Sequence, residues 1–84
     1  MEEKAIGKIV HYFGHVGAGI IGLSDTLKVG DKIHVKGHTS DFSQDVTSME
    51  IEHASLSEAK AGQEVGVKLN EKVHQGDVVY KVIA

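Results

Sequence analysis

Apolar and polar residues alternate along LKVGDKIHVKG, residues 27–37, so that Ile33 and Val35 fall on one side of an extended chain and Lys32, His34 and Lys36 on the other. Short runs of the same kind recur, and no segment sustains a 3.6-residue apolar period. The pattern predicts six strands, at about 4–13, 18–24, 31–37, 44–53, 63–69 and 77–83. In the fourth, Met49 and Ile51 point inward while Glu50 and Glu52 point out. Val46 is out of phase with them, which predicts a β-bulge near Thr47 and Ser48. If the third and fourth strands are antiparallel neighbours, their lysines face these glutamates as cross-strand pairs. VGDKIHV, AGQEVGV and QGDVVYKV each place a glycine and a polar residue before an alternating strand, a recurring strand-entry turn. The expected core is Ile9, Ile33, Val35, Met49, Ile51, Val65, Val67, Leu69 and Val78. One segment, ASLSEAKAG at 54–62, is long enough for a turn or two of helix, with Gly62 to end it.

Six short antiparallel strands laid flat would leave open edges, and no long helix is available to cover them. A small closed six-stranded antiparallel β-barrel is the expected all-β fold. With 84 residues there is room for one domain, 1–84, and one small core. Ten glycines and no proline suit tight hairpins, and the absence of cysteine excludes disulfides, thiolate zinc sites and cysteine nucleophiles. The same absence predicts a cytoplasmic protein. MEEKAIGK has acids where a signal peptide needs a basic region and an apolar run, so neither secretion nor a membrane anchor is expected.

Charge narrows the functional classes. The net charge is −3, and all nine basic residues are lysine. Without arginine the commonest bidentate guanine contact is missing, so base-specific nucleic-acid recognition is not expected, although lysines can still touch phosphates.

Several stretches taken in order, GHVGAGIIGL, LKVGDKIHVKG, QDVTSMEIEH, EAKAGQEVGVKLN and GDVVYKV, resemble the β-barrel that forms the second domain of translational GTPases of the elongation factor Tu type. HYFGHVGAGIIGL, GHTSDF, SMEIEH and DVVYKV are similar to the C-terminal barrel of collagenase-like peptidases and to small stand-alone elongation-factor-like proteins. The resemblance implies a translation-factor barrel and no activity of its own. In those GTPases nucleotide is hydrolysed in a separate domain through a P-loop, and no glycine here precedes Gly-Lys-Ser/Thr at that spacing, so GTP is not an expected ligand. In the peptidases the chemistry is implied to lie upstream of the barrel. The expectation is therefore a binding or assembly module that is not an enzyme, takes no cofactor and meets another protein or a translation- or tRNA-related complex.

Six histidines invite a metal, but His11 and His15, or His34 and His38, four apart on a strand, stand about 13 Å apart. One ion cannot span that distance, and no metal is expected. Ser24, Asp25, Ser40, Asp41 and Ser43 read as turn residues rather than as a catalytic set. Gly14, Gly17 and Gly19 lead into a strand, not a helix N-terminus, and so read as a hairpin rather than a phosphate loop. Phe13 and His15 near the first hairpin tip, with His38 and Phe42 after the third strand, form the candidate protein-contact patch; the rival reading is that the phenylalanines plug the barrel ends. Lys32, His34 and Lys36 are the candidate RNA-contacting stripe.

Overall fold

The computed structural model describes residues 2–83. It is all-β: β1 (Glu2–Phe13), β2 (Ala18–Leu23), β3 (Leu27–Lys28), β4 (Lys32–Lys36), β5 (Asp41–Asp45), β6 (Met49–Ile51), β7 (Ala54–Leu56), β8 (Glu58–Ala59), β9 (Glu64–Lys68) and β10 (Val78–Ile83). Eight of these form one antiparallel sheet in the order β5-β4-β10-β1-β2-β9-β6-β7, while β3 pairs with β8.

β1 is the spine, bonded to β10 on one side and β2 on the other. Ile6 and Ile9 are both buried although their odd spacing puts them on opposite faces of a regular strand. Register shifts between Ala5 and Gly7, and between Ile9 and His11, resolve the conflict by turning the chain about its axis. The core gathers inward positions from every long strand, among them Ile6, Ile9, Ile21, Ile33, Val35, Met49, Val65, Val67 and Val79.

The expected closed six-stranded barrel is corrected. The main sheet has eight strands, and its hydrogen-bond ladder does not close. The predicted strand 44–53 is interrupted because Val46 turns inward, its amide bonding Asp31 and its carbonyl Gly30, so that β5 and β6 are separate strands. A break thus stands where a bulge near Thr47 and Ser48 was expected. Residues 46–48 nevertheless connect β5, at one end of the strand order, to β6, next to the other end, and full extension from Asp45 to Met49 spans only roughly 14 Å. The sheet is therefore strongly curled. Buried Gln44 on β5 reaches across the seam, donating to the Lys68 carbonyl at 2.8 Å and accepting from the Asn70 amide at 2.7 Å.

Other expectations fail for local reasons. ASLSEAKAG forms β7 and β8 rather than a helix, since pairing with β6 and with Leu27 outweighs the weak propensity of so short a helix. Lys32 and Lys36 lie opposite Asp45 and Asp41 rather than opposite Glu50 and Glu52. Val79 rather than Val78 is buried on β10, and Ile51 is only half-buried at the rim of the core. Among the described residues no helix is long and apolar enough to cross a membrane.

Candidate functional site

The outer face of β2, β9 and β6 holds a groove of about 580 Å³. Pairing places Ala18 and Phe13 side by side, and Ile20 beside Gly66, which in turn lies beside Glu50. Phe13 and Val16 rise at the β1–β2 hairpin end and are 45% and 66% exposed, so this wall is apolar and open to solvent. The hairpin tip is held by the amides of Val16 and Gly17, both donating to the Phe13 carbonyl. The His11 ring packs edge-on against Phe13 at 4.5 Å and braces it.

Gly66 makes the floor deep. A glycine inside a strand forfeits side-chain packing and costs about 0.5–1 kcal/mol relative to alanine, so it ordinarily answers a steric demand. Gly7 has such a demand, because a Cβ there would stand 2.5 Å from the Gly22 carbonyl oxygen, and Gly37 is pressed by the Asp77 carboxylate. A Cβ on Gly66 would meet only the Glu50 carbonyl at 3.5 Å and Ile20 Cδ1 at 3.7 Å, which is ordinary contact. What the missing side chain leaves is the groove.

The far wall is polar. Glu50, Glu52 and His53 line it, and Lys68 stands toward the hairpin end. Ile51 pairs with Ala54, so Glu52 and His53 form a two-residue turn, with φ of 51° and 66°. Turns of this shape favour Asn-Gly, because side chains with a Cβ resist positive φ. Here the strained positions carry two of the residues that face the groove.

The residues singled out in the sequence fall on separate elements. Phe13 lines the groove, and His15 is exposed at the adjoining hairpin tip. His38 is exposed in the β4–β5 turn, whose neighbour Thr39 meets the His74 ring at 3.3 Å, tying that turn to the 70–77 loop. Phe42 is a core residue opposite Val35 on β5, only 8% exposed, which removes it from any surface patch. On β4, Lys32 and Lys36 are exposed beside the aspartates noted above. His34 donates from Nδ1 to Glu3 at 2.7 Å and from Nε2 to Asp41 at 2.5 Å. The bond to Asp41 first, and then the Glu3 carboxylate, hold the His34 imidazolium above its ordinary range, with burial opposing them. The bond from His34 holds the Asp41 carboxyl below its ordinary range. The stripe is thus a mixed-charge surface rather than a positive one. Among the described residues no group of His, Asp and Glu is arranged to hold a metal.

Sequence reasoning missed Val16, Ala18, Ile20, Gly66, Glu50, Glu52 and His53 as a group. The available signal was the glycine at the outward position of EVGVK, set against VGAGII with its outward Ala18 and Ile20. Recognising the group required the β2–β9–β6 pairing, which the one-dimensional pattern does not specify.

Comparison with known proteins agrees with this architecture. The family model for elongation factor Tu domain 2 matches residues 17–80. A protein of Methanocaldococcus jannaschii named as an uncharacterized protease is 42% identical over 76 residues, which is 89% of this chain but 19% of that protein. The chain thus spans about a fifth of the length of the curated relative it matches. Among solved structures, the C-terminal domain of a Geobacillus thermoleovorans protein named as a U32 peptidase superposes with a TM-score of 0.89 at 18% identity, covering 95% of this chain and 93% of that one. Its selenomethionine variant gives 0.86 over 90% and 96%. The chain belongs to the elongation factor Tu domain 2 family.

Proposed function

We propose that this domain is a non-catalytic docking module that seats an apolar segment of a protein partner in the groove floored by Gly66. The observation that carries the reading is Gly66 itself: a strand glycine with room for a side chain, at the bottom of the one surface where Phe13, Val16 and Ile20 converge. The domain carries no chemistry of its own. Any proteolysis in a relative such as the archaeal protein would reside in the four fifths of it that this chain does not span. A cysteine-free composition and the translation-factor family fit a cytoplasmic setting.

Gly66→Val tests this, since it fills the floor with a side chain suited to a strand and its Cβ meets only ordinary contacts. The variant is expected to melt at or above the wild-type temperature. Affinity capture from the native host, with and without nuclease, should yield a protein that survives nuclease with the wild type and is lost with Gly66→Val. Equal capture by both forms would overturn the reading. Capture abolished by nuclease alone would transfer the function to RNA, with Lys32, His34 and Lys36 as the contacts to substitute next. A fluorogenic casein assay with the purified domain is expected to be blank.

A further inference from the structure

The groove is electrically asymmetric along β9. Gly66 lies at its middle. Two residues before it on the same face is Glu64, exposed, and beside it on β6 is Glu50, with Glu52 at the strained turn beyond. Two residues after it is Lys68, toward Ala18 and Phe13. None of these four takes part in the ion pairs formed among the described residues, which join Lys4 to Asp25, Lys28 to Glu58, His34 to Glu3 and Asp41, and Lys81 to Asp31. At Lys4, Lys28, His34 and Lys81 opposite charges have been brought together. Here carboxylates run from the middle of an apolar floor to one end, with a cation at the other.

Resting on the docking reading, we propose that the groove selects an extended peptide segment of defined polarity: apolar residues over Phe13, Ala18 and Ile20, then Lys or Arg over Glu50 and Glu52. The floor is a sheet face, not an edge, so recognition runs through side chains spaced two apart rather than through a backbone ladder. Apolar contact supplies the attraction, and the carboxylates fix direction and discriminate by charge. Asn-Gly in place of Glu52-His53 would relieve the turn but remove a carboxylate from the wall. A second copy of this chain meets the requirement poorly, since even packed antiparallel about a two-fold axis it offers a single Lys68 to the three carboxylates Glu50, Glu52 and Glu64.

The test is selection of a random peptide library displayed on phage, run in parallel on wild type, Gly66→Val and the double variant Glu50→Lys/Glu52→Lys. Peptides enriched on wild type and absent from the Gly66→Val selection are expected to carry an apolar run and a basic pair in one fixed order. The charge-reversed variant should enrich acidic residues at those positions. A selected peptide should lose about fivefold or more in affinity on Glu50→Lys/Glu52→Lys, and the loss should shrink as salt is raised. Glu50→Gln/Glu52→Gln, which keeps the shape of the wall, should lie between. Groove-dependent peptides with no charge preference would overturn the polarity inference and leave the docking reading standing. No groove-dependent enrichment would overturn both, as would a concentration-dependent dimer abolished by Gly66→Val, which would give the groove to a second copy.

Discussion

At His34 the outer face of the sheet is closed by its own charges, whereas at Gly66, four strands away in the sheet order, it is left open. Both ring nitrogens of His34 are bonded, to Glu3 from β1 and to Asp41 from β5, with Tyr80 of the intervening β10 at 6.1 Å between ring centres. Polar groups saturated in this way have little to offer an incoming ligand, because binding would first have to break them apart. Around Gly66 the apolar side chains are exposed, the acids stand apart from the cation and a turn is held in a costly conformation. The same antiparallel lattice builds both surfaces. What differs is whether cross-strand neighbours complete one another, and that difference separates a structural surface from one suited to a partner.

The contrast extends into the core. Ile33, wholly buried beneath the His34 patch, is expected to cost about 2–5 kcal/mol on change to alanine. Ile51, half-buried beside the groove, should cost no more than about 1 kcal/mol, in proportion to the smaller apolar area it removes from water. Urea melts of Ile33→Ala and Ile51→Ala measure both. Equal losses would mean that the two sides of the sheet are anchored alike and would break the comparison.

Ile51 also marks where the sequence was legible and where it was not. Period-two alternation located Ile33, Val35, Met49, Val65 and Val67 in the core correctly, because a strand buried on one face has only one admissible phase. It misjudged Ile51 and Val78, which have the right residue type but lie at the rim or on the other face of their strands. The interruption at Val46 could not be read from alternation, since a residue leaving the ladder looks the same in sequence as a bulge. Phe42 reads as a loop residue because DFSQD lacks the branched apolar residues that announce a strand; its pairing with β4 is imposed by the hairpin. Phe13 was recognised, but the floor it stands over comes from β2 and β9, which are far apart in sequence.

The seam gives the next effect in size. Gln44→Ala removes the side chain that bonds Lys68 and Asn70, leaving a carbonyl and an amide without those partners at the end of β9. A loss of about 1–3 kcal/mol is expected, with hydrogen exchange at Asn70 accelerated more than at residues of β10. Uniform acceleration would show that Gln44 acts on the whole sheet and not at the seam. Smaller and of opposite sign is the double change Glu52→Asn/His53→Gly, which relieves the turn and should stabilise the fold by roughly 1–2 kcal/mol while weakening any groove-dependent peptide. Stabilisation without loss of binding would make the turn a structural detail and erase half of the contrast between the two surfaces.

The weakest effect is electrostatic and belongs to the closed patch. His34 has its proton affinity raised above the ordinary 6.5, so its contribution to stability is fully present below that pH and is lost as pH rises through the folded value. Asp41 is shifted the other way, below 3.8, so its contribution is present above that pH and is lost as pH falls through its lower folded value. The bonds among His34, Glu3 and Asp41 therefore support the fold most in mildly acidic solution, with protons retained on His34 and absent from Asp41. Thermal melts of wild type and His34→Gln across this range should show their largest separation between the ordinary Asp and His values and a narrowing as pH rises through the raised folded value of His34, where the imidazolium loses its proton. High salt should reduce the separation only in part, since hydrogen bonds as well as charge hold the three groups. A separation that stayed constant with pH would mean that His34 acts through packing against Tyr80 alone, and the patch would then be closed by shape rather than by charge.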